Sequence, residues 1–239
     1  MRMLNVGGGP IPVPAQYAGW DVDLLDIDPA VKPDILLDAR EMNTLPSAQY
    51  DAVYASHVLE HFAEHEVAVV LRGFYHVLAA DGFADVRVPD IMAVIDAVLR
   101  NGLELDSGLY QSPVGPIRVG DALWGFQTQI ARSGQPYYAH CWGFSRNTLG
   151  RALKQAGFEY ILLRGGHYEV RAVAFKHEPD QERIDILGVK TRQLPRRKQR
   201  GLSLALRDSL RIRDVWPVDD GPARDVASRD GISKSRVTA

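Results

Sequence analysis

A mostly parallel α/β sheet with helices on both faces, closed by an antiparallel hairpin, is the fold the sequence predicts. Three observations carry it. Short apolar runs alternate with helical periodicity from Met3 to about Leu99. Several of the runs end in Gly, Asp or Ser-His. The last recurring unit is a helix followed by two strands around Gly165-Gly166. Alternating strands and helices build crossovers and so parallel pairing, whereas two strands joined by a glycine turn pair antiparallel.

Taken in order, Met3-Leu4-Asn5-Val6 is a short strand that runs into Gly7-Gly8-Gly9. Val22 to Ile27 is a second, with Asp26 and Asp28 at its end; Asp34 to Asp38 is a third and Tyr50 to Ala55 a fourth. Val67, Val70, Leu71, Phe74 and Leu78 recur at helical spacing, which predicts one buried face from about Glu64 to Ala79, with Gly82 as the stop. Phe83 to Val88 is a fifth strand ended by Pro89, and Asp90 caps a helix through Leu99 that Asn101-Gly102 closes. From Leu103 to Trp142 the chain is rich in Gly, Pro, Ser and aromatics, with one helix predicted from Asp121 to Arg132; such irregular stretches inside a domain serve as lids or binding loops. Ser145 then caps a helix carrying Leu149, Leu153 and Ala156, and the hairpin Phe158–Leu163 and Tyr168–Phe175 follows.

Composition bounds the function. The 239 residues are 46% apolar and 24% charged, with a formal charge of −2, enough apolar material to bury a core. No run approaches the roughly 20 apolar residues of a membrane helix, and Met1 to Val6 leads directly into the glycines without a secretory apolar region, so a cytoplasmic protein is expected. A single cysteine, Cys141, excludes an internal disulfide and a thiolate metal cluster and reads as an inert packed thiol. The charge is uneven: residues 1–189 hold 15 basic and 24 acidic side chains, residues 190–239 hold 13 and 6. A domain of residues 1–178 followed by a basic, largely disordered tail, 179–239, is therefore expected. Gln193 to Gly201 reads as a basic linker, and Leu202, Leu206 and Leu210 as one face of a short helix. A solvated tail is expected over a nucleic-acid partner, because interleaved aromatics and a larger basic patch are both missing, although the basic tail leaves nucleic acid open.

In open parallel sheets, ligands bind beyond the carboxyl ends of the strands. Those ends are Gly7-Gly8-Gly9, Asp26 and Asp28, Asp38-Ala39, Ser56-His57 and Pro89-Asp90. Glycines let backbone approach a ligand, and a carboxylate after the second strand is the group that grips ribose hydroxyls. Pro10, Pro12 and Pro14 follow the glycines and lack the amide donors of a dinucleotide-type helix start, so no pyrophosphate is cradled there.

These stretches resemble the class I S-adenosylmethionine-dependent methyltransferases. The resemblance is carried by Leu4-Asn5-Val6-Gly7-Gly8-Gly9-Pro10, Leu25-Asp26-Ile27-Asp28-Pro29, Asp38-Ala39, Tyr50 to Phe62 and Ala156-Gly157-Phe158, over roughly residues 3–177. More narrowly it is similar to small methyltransferases of surface-glycan gene clusters, through Ser56-His57-Val58-Leu59-Glu60-His61 and Ala139-His140-Cys141-Trp142-Gly143-Phe144. It implies a Rossmann-like, mostly parallel seven-stranded sheet with the C-terminal hairpin, and S-adenosylmethionine as cofactor. It further implies that Gly7 and Gly9 lie against the methionine moiety with Gly8 allowing the turn, that Asp26 (with Asp28 as its rival) takes the ribose, that Asp38 and the Ala39 amide hold adenine, and that Ser56 and His57 face the sulfonium. Residues 103–144 become the acceptor lid, over a small-molecule or glycan-type acceptor methylated on oxygen or nitrogen.

If that acceptor must lose a proton, histidine is the natural base, and His57 and His140 are the candidates. Metal is not expected: His57, Glu60, His61 and His65 have near-helical spacing, but a structural role is the plainer reading. Trp124, Phe126, Tyr137, Tyr138 and Trp142 line either an acceptor pocket or a small core. Two alternatives stay open, a non-catalytic binding relative and a nicotinamide-dependent oxidoreductase, the latter disfavoured by the prolines.

Overall fold

In the computed structural model, which describes residues 1–112, 115–187 and 212–214, the apolar runs form strands where the alternation places them. The elements are β1 (Arg2–Val6), β2 (Asp21–Asp26), β3 (Ile35–Leu36), β4 (Tyr50–Ser56), α1 (Glu64–Val77), β5 (Leu78–Pro89), α2 (Ile91–Asn101), β6 (Gly108–Ser112) and β7 (Gly115–Arg118). There follow α3 (Val119–Trp124), α4 (Gln127–Ser133), α5 (Arg146–Gln155), β8 (Tyr160–Gly166), β9 (Glu169–Phe175), α6 (Gln181–Ile186) and β10 (Ile212–Asp214).

The main sheet has the order β3-β2-β1-β4-β5-β9-β8-β10. β1 to β5 run parallel to one another, β9 runs antiparallel to both β5 and β8, and β10 joins β8 in parallel. Seven of these strands lie within residues 2–175, as expected. The packing continues past residue 178, the domain bound expected above: Ile184 and Leu187 of the α6 region are buried. The runs 193–201, 202–210 and 219–239 lie outside the described residues.

Strands covered on both sides read as nearly continuous apolar runs, and β1 and β4 do. Leu4, Val6, Val53 and Ala55 face a core built with α1 and α5, while Met3, Ala52 and Tyr54 face a second cluster with Tyr17, Phe83 and Leu187. On that second face the link from β1 to β2 forms no α-helix; Pro10, Pro12 and Pro14 lead only to a 3-10 turn at Ala15–Tyr17. The strap is anchored by chemistry. The Tyr17 hydroxyl donates to Asp85 Oδ2 at 2.6 Å, and Arg171 donates to both oxygens of the same carboxylate at 2.8 Å. Asp85 is fully buried, and burial together with this carboxylate pushes the Tyr17 phenol far above its ordinary pKa.

The segment after α2 is more regular than its composition suggests. It forms the β6–β7 hairpin and two short helices in place of the single helix 121–132. The break falls at Gly125, whose φ is +89° and where a Cβ would lie 1.9 Å from the Tyr138 carbonyl oxygen. Close approach of a distant backbone ends the helix there. Ile117, Val119 and Ala122 pack with Val94 of α2 into a small core of their own.

Candidate functional site

Every expected strand-end residue reaches the same edge of the sheet. Asp26 pairs in register with Leu36, which places Asp38 beside it two residues beyond β3. Val6 pairs with Leu25 and Ala55, and Pro89 pairs with Glu169 at the start of β9.

In the first loop, the left-handed residues are Gly7 (φ +64°) and Gly9 (φ +51°). The turn is thus made by these two rather than by Gly8. What Gly8 supplies is room, because a Cβ there would lie 2.2 Å from Asn5 Nδ2. The Gly9 amide donates to Asp26 Oδ2 at 3.3 Å and the Asp28 amide to Asp26 Oδ1 at 3.0 Å, so two backbone donors fix a buried carboxylate facing the loop. Asp28 is used differently: its carboxylate accepts from the Ala30 amide and caps the next 3-10 turn. Asp38 caps the turn that begins at Ala39 and is gripped by Arg40, whose hydrogen bonds hold the carboxyl below the usual carboxylate range.

On the other side of Gly7 and Gly8 opens a cavity of about 750 Å³. Tyr54, Ser56 and His57 of the β4 end wall it, as do Arg87, Tyr168 and Glu169. Tyr110, Phe126 and Tyr138 of the insertion close it. The five aromatics therefore divide. Phe126 and Tyr138 line the cavity, Trp142 packs against the main core, Tyr137 is half-buried outside the cavity lining, and Trp124 is half exposed. Cys141 is exposed, not packed, because its neighbours in the chain, His140 and Trp142, turn to the interior.

His57 sits in the left-handed region (φ +57°) just beyond β4, a conformation that costs a non-glycine residue of order 1 kcal/mol and tends to collect at functional sites. Its ring stands between two carboxylates, Nδ1 3.2 Å from Glu60 Oε1 and Nε2 3.2 Å from Glu169 Oε2. Desolvation opposes charge on the ring, but the two carboxylates outweigh it and push the pKa up to about 10. The two carboxylates thus favour the imidazolium form of His57, which has no lone pair to receive a proton and speaks for an ion-pair role over that of a general base. Burial keeps His140 neutral, its pKa lowered.

Glu60 is fully buried. Burial works against its ionisation, yet His57 beside it holds its pKa below the ordinary value. The segment 139–144 brings His140 there: the amides of Cys141 and Trp142 both donate to the Glu60 carbonyl, at 2.7 and 3.1 Å. One ring nitrogen each of His61 and His140 and a carboxylate oxygen of Glu60 lie within 4.8 Å of one another. The ligand-type cluster that helical spacing alone does not assemble is completed by a residue 79 positions further on than His61; His65 is exposed and takes no part.

A sheet with this strand order, a glycine turn after β1 and a backbone-held carboxylate after β2 defines a nucleoside-binding α/β enzyme class. Residues 1–163 match the family described as "Methyltransferase domain". The chain belongs to that family and is a class I S-adenosylmethionine-dependent methyltransferase. Among solved structures it is similar to a SAM dependent methyltransferase from Archaeoglobus fulgidus, at 15% identity over 73% of this chain and 86% of that one, with a TM-score of 0.46. It is also similar to the 1,6-didemethyltoxoflavin-N1-methyltransferase of Burkholderia thailandensis, at 15% identity over 74% and 71% with a TM-score of 0.45. The PH0226 protein from Pyrococcus horikoshii OT3 shows 14% identity over 73% and 81%, with a TM-score of 0.46. No curated protein matches the chain. Among the described residues no helix is long and apolar enough to cross a membrane.

The residues present fit the cofactor. Two amides occupy only part of the Asp26 carboxylate's acceptor capacity, leaving oxygens for a diol, and nothing lies within 4 Å of where a Gly9 Cβ would be.

Proposed function

We propose that the protein methylates a small-molecule acceptor seated in the cavity between the β4, β5 and β9 ends and the 103–144 insertion. One observation carries this reading: the cavity begins at Gly7 and Gly8, where the cofactor's methionine end belongs, and runs to the aromatic wall of the insertion. Its volume is that of a metabolite pocket, and aromatic faces interleaved with Arg87, Glu169 and the histidines suit a ring-bearing, hydroxylated acceptor, a sugar-type ring included.

S-Adenosylmethionine supplies an electrophilic methyl carbon on a sulfonium, and alignment of acceptor atom, carbon and sulfur provides much of the acceleration. Asp26 takes the ribose hydroxyls, Asp38 and the Ala39 amide flank adenine, and Ser56 stands beside the sulfonium end. His57 clamps Glu60 and Glu169 so that the wall does not shift, and Glu60, His61 and His140 form the side of the cavity at which the acceptor hydroxyl or amine is activated. The net negative balance of residues 1–189 favours approach of a cationic cofactor.

Calorimetry with S-adenosylhomocysteine is expected to give micromolar affinity, weakened about tenfold or more by Asp26→Ala, a loss of about 1.4 kcal/mol. His140→Ala should leave that affinity within threefold while lowering turnover at least tenfold, once the acceptor is found by incubating cell extract with methyl-labelled cofactor. Absence of any affinity in the wild type, or label appearing on no small molecule, would refute the proposal.

A further inference from the structure

Three electron-pair donors meet beside the cavity, His61 and His140 lining it and Glu60 buried behind them. His61 Nδ1 lies 2.9 Å from the Ala139 carbonyl and His140 Nδ1 lies 3.1 Å from the Ala122 carbonyl. A carbonyl oxygen only accepts, so each Nδ1 carries a ring hydrogen, and it is the Nε2 of each ring that is left as the atom able to offer a lone pair. The third donor is Glu60, 1% exposed, neither of whose carboxylate oxygens has a hydrogen-bond partner. His57 stands at ion-pair distance from one of them without hydrogen-bond geometry, and it offers nothing to the two imidazole lone pairs. A buried carboxylate that carries no hydrogen bond thus converges with two imidazole nitrogens, and His57, the one cation beside the carboxylate, reaches neither of them; such a set of acceptors is costly unless a further positive group joins all three.

We propose that Glu60, His61 and His140 bind one divalent first-row transition-metal ion at the wall of the acceptor cavity. Donors around such an ion stand about 2.1 Å from it, and so about 3–3.4 Å from one another in cis or tetrahedral positions; the observed 4.8 Å span closes with side-chain shifts of about 1–2 Å. Nδ1–H hydrogen bonds to backbone carbonyls are the outer contacts that orient metal-binding imidazoles. Two nitrogens and one carboxylate favour manganese, iron, cobalt or zinc over calcium and magnesium, which prefer all-oxygen sites. Three protein ligands leave coordination positions open, and His61 and His140 both line the cavity, so those positions face the acceptor. A cation there lowers the pKa of a bound hydroxyl, which tells against an acceptor without an oxygen or nitrogen lone pair. This inference rests on the cavity being the acceptor chamber, and it makes the acceptor a metal-binding alcohol, phenol or amine.

The test uses full-length protein without a histidine tag, stripped with chelator and titrated with Co²⁺ while visible absorption and heat are followed. One equivalent is expected to bind, with d–d bands of nitrogen and oxygen ligation. Glu60→Gln, which keeps the side chain's shape, and His140→Ala should each weaken binding about tenfold or more. S-Adenosylhomocysteine affinity, measured on the same samples, is expected to stay within threefold of wild type. No Co²⁺ uptake at millimolar concentration, or uptake that both variants leave unchanged, overturns the metal site. If cofactor affinity is intact in that case, the methyltransferase reading survives; if it too is missing, the underlying reading fails instead.

Discussion

A methyl group on Gly8 would lie 2.2 Å from Asn5 Nδ2 and 2.5 Å from Asn5 Oδ1, whereas one on Gly9 would meet nothing within 4 Å. The two glycines are therefore required for different reasons. Gly9 has φ +51°, so an alanine there is strained by about 1 kcal/mol but collides with no neighbour. Gly8 lies over Asn5, a 5% exposed side chain in the middle of β1, and an added carbon forces that side chain or the loop to move, at a cost of about 1–3 kcal/mol. Gly8→Ala should accordingly lower the urea midpoint more than Gly9→Ala, and it should also weaken S-adenosylhomocysteine, since Gly8 borders the cavity. Equal midpoints for the two variants would show that the space beneath Gly8 is not what matters.

Among the elements, the connection from β1 to β2 stands out, because a strap of prolines replaces a covering helix and must be held from outside. Tyr17 and Arg171 reach Asp85 from either side. Removing the phenol hydroxyl in Tyr17→Phe deletes one hydrogen bond and should cost about 1 kcal/mol. Arg171→Met leaves a fully buried carboxylate uncompensated and should cost about 3 kcal/mol or more. Denaturant midpoints read the difference, and an Arg171→Met midpoint no lower than that of Tyr17→Phe would contradict the ranking. This anchor was not legible in the sequence, since its partners stand 68 and 86 residues from Asp85 and nothing local marks them. The main strands and their mostly parallel pairing were legible, because period and apolar run length are local properties, and so was the Asp26 edge, because a carboxylate at a strand end has a fixed address once the sheet is parallel. What escaped shares one cause, contacts between distant segments. Gly125 breaks a periodic helix because Tyr138 passes beneath it, and His140 joins Glu60 because the Cys141 and Trp142 amides bond across to that turn.

For the molecule as a whole, the two halves of the site hang on one sheet: Asp26 and Asp38 on the β2–β3 side, and the cavity beyond β4, β5 and β9. A ligand that spans Gly7 to Asp26 binds only the folded sheet, so its affinity adds to the stability of every strand paired there. At a hundredfold excess over its Kd, S-adenosylhomocysteine should stabilise the protein by about 2.7 kcal/mol. For a chain of this size that corresponds to a rise of roughly 5–10 °C in Tm. With the affinity reduced tenfold by Asp26→Ala, the same ligand concentration is only about ten times Kd, and the gain falls to about 1.4 kcal/mol, half the shift. His140→Ala alters the opposite half and should keep the full shift although its turnover drops. Differential scanning calorimetry on the three proteins separates the halves: a full shift in Asp26→Ala, or a halved one in His140→Ala, would mean that the nucleoside does not lie where the β2 edge places it.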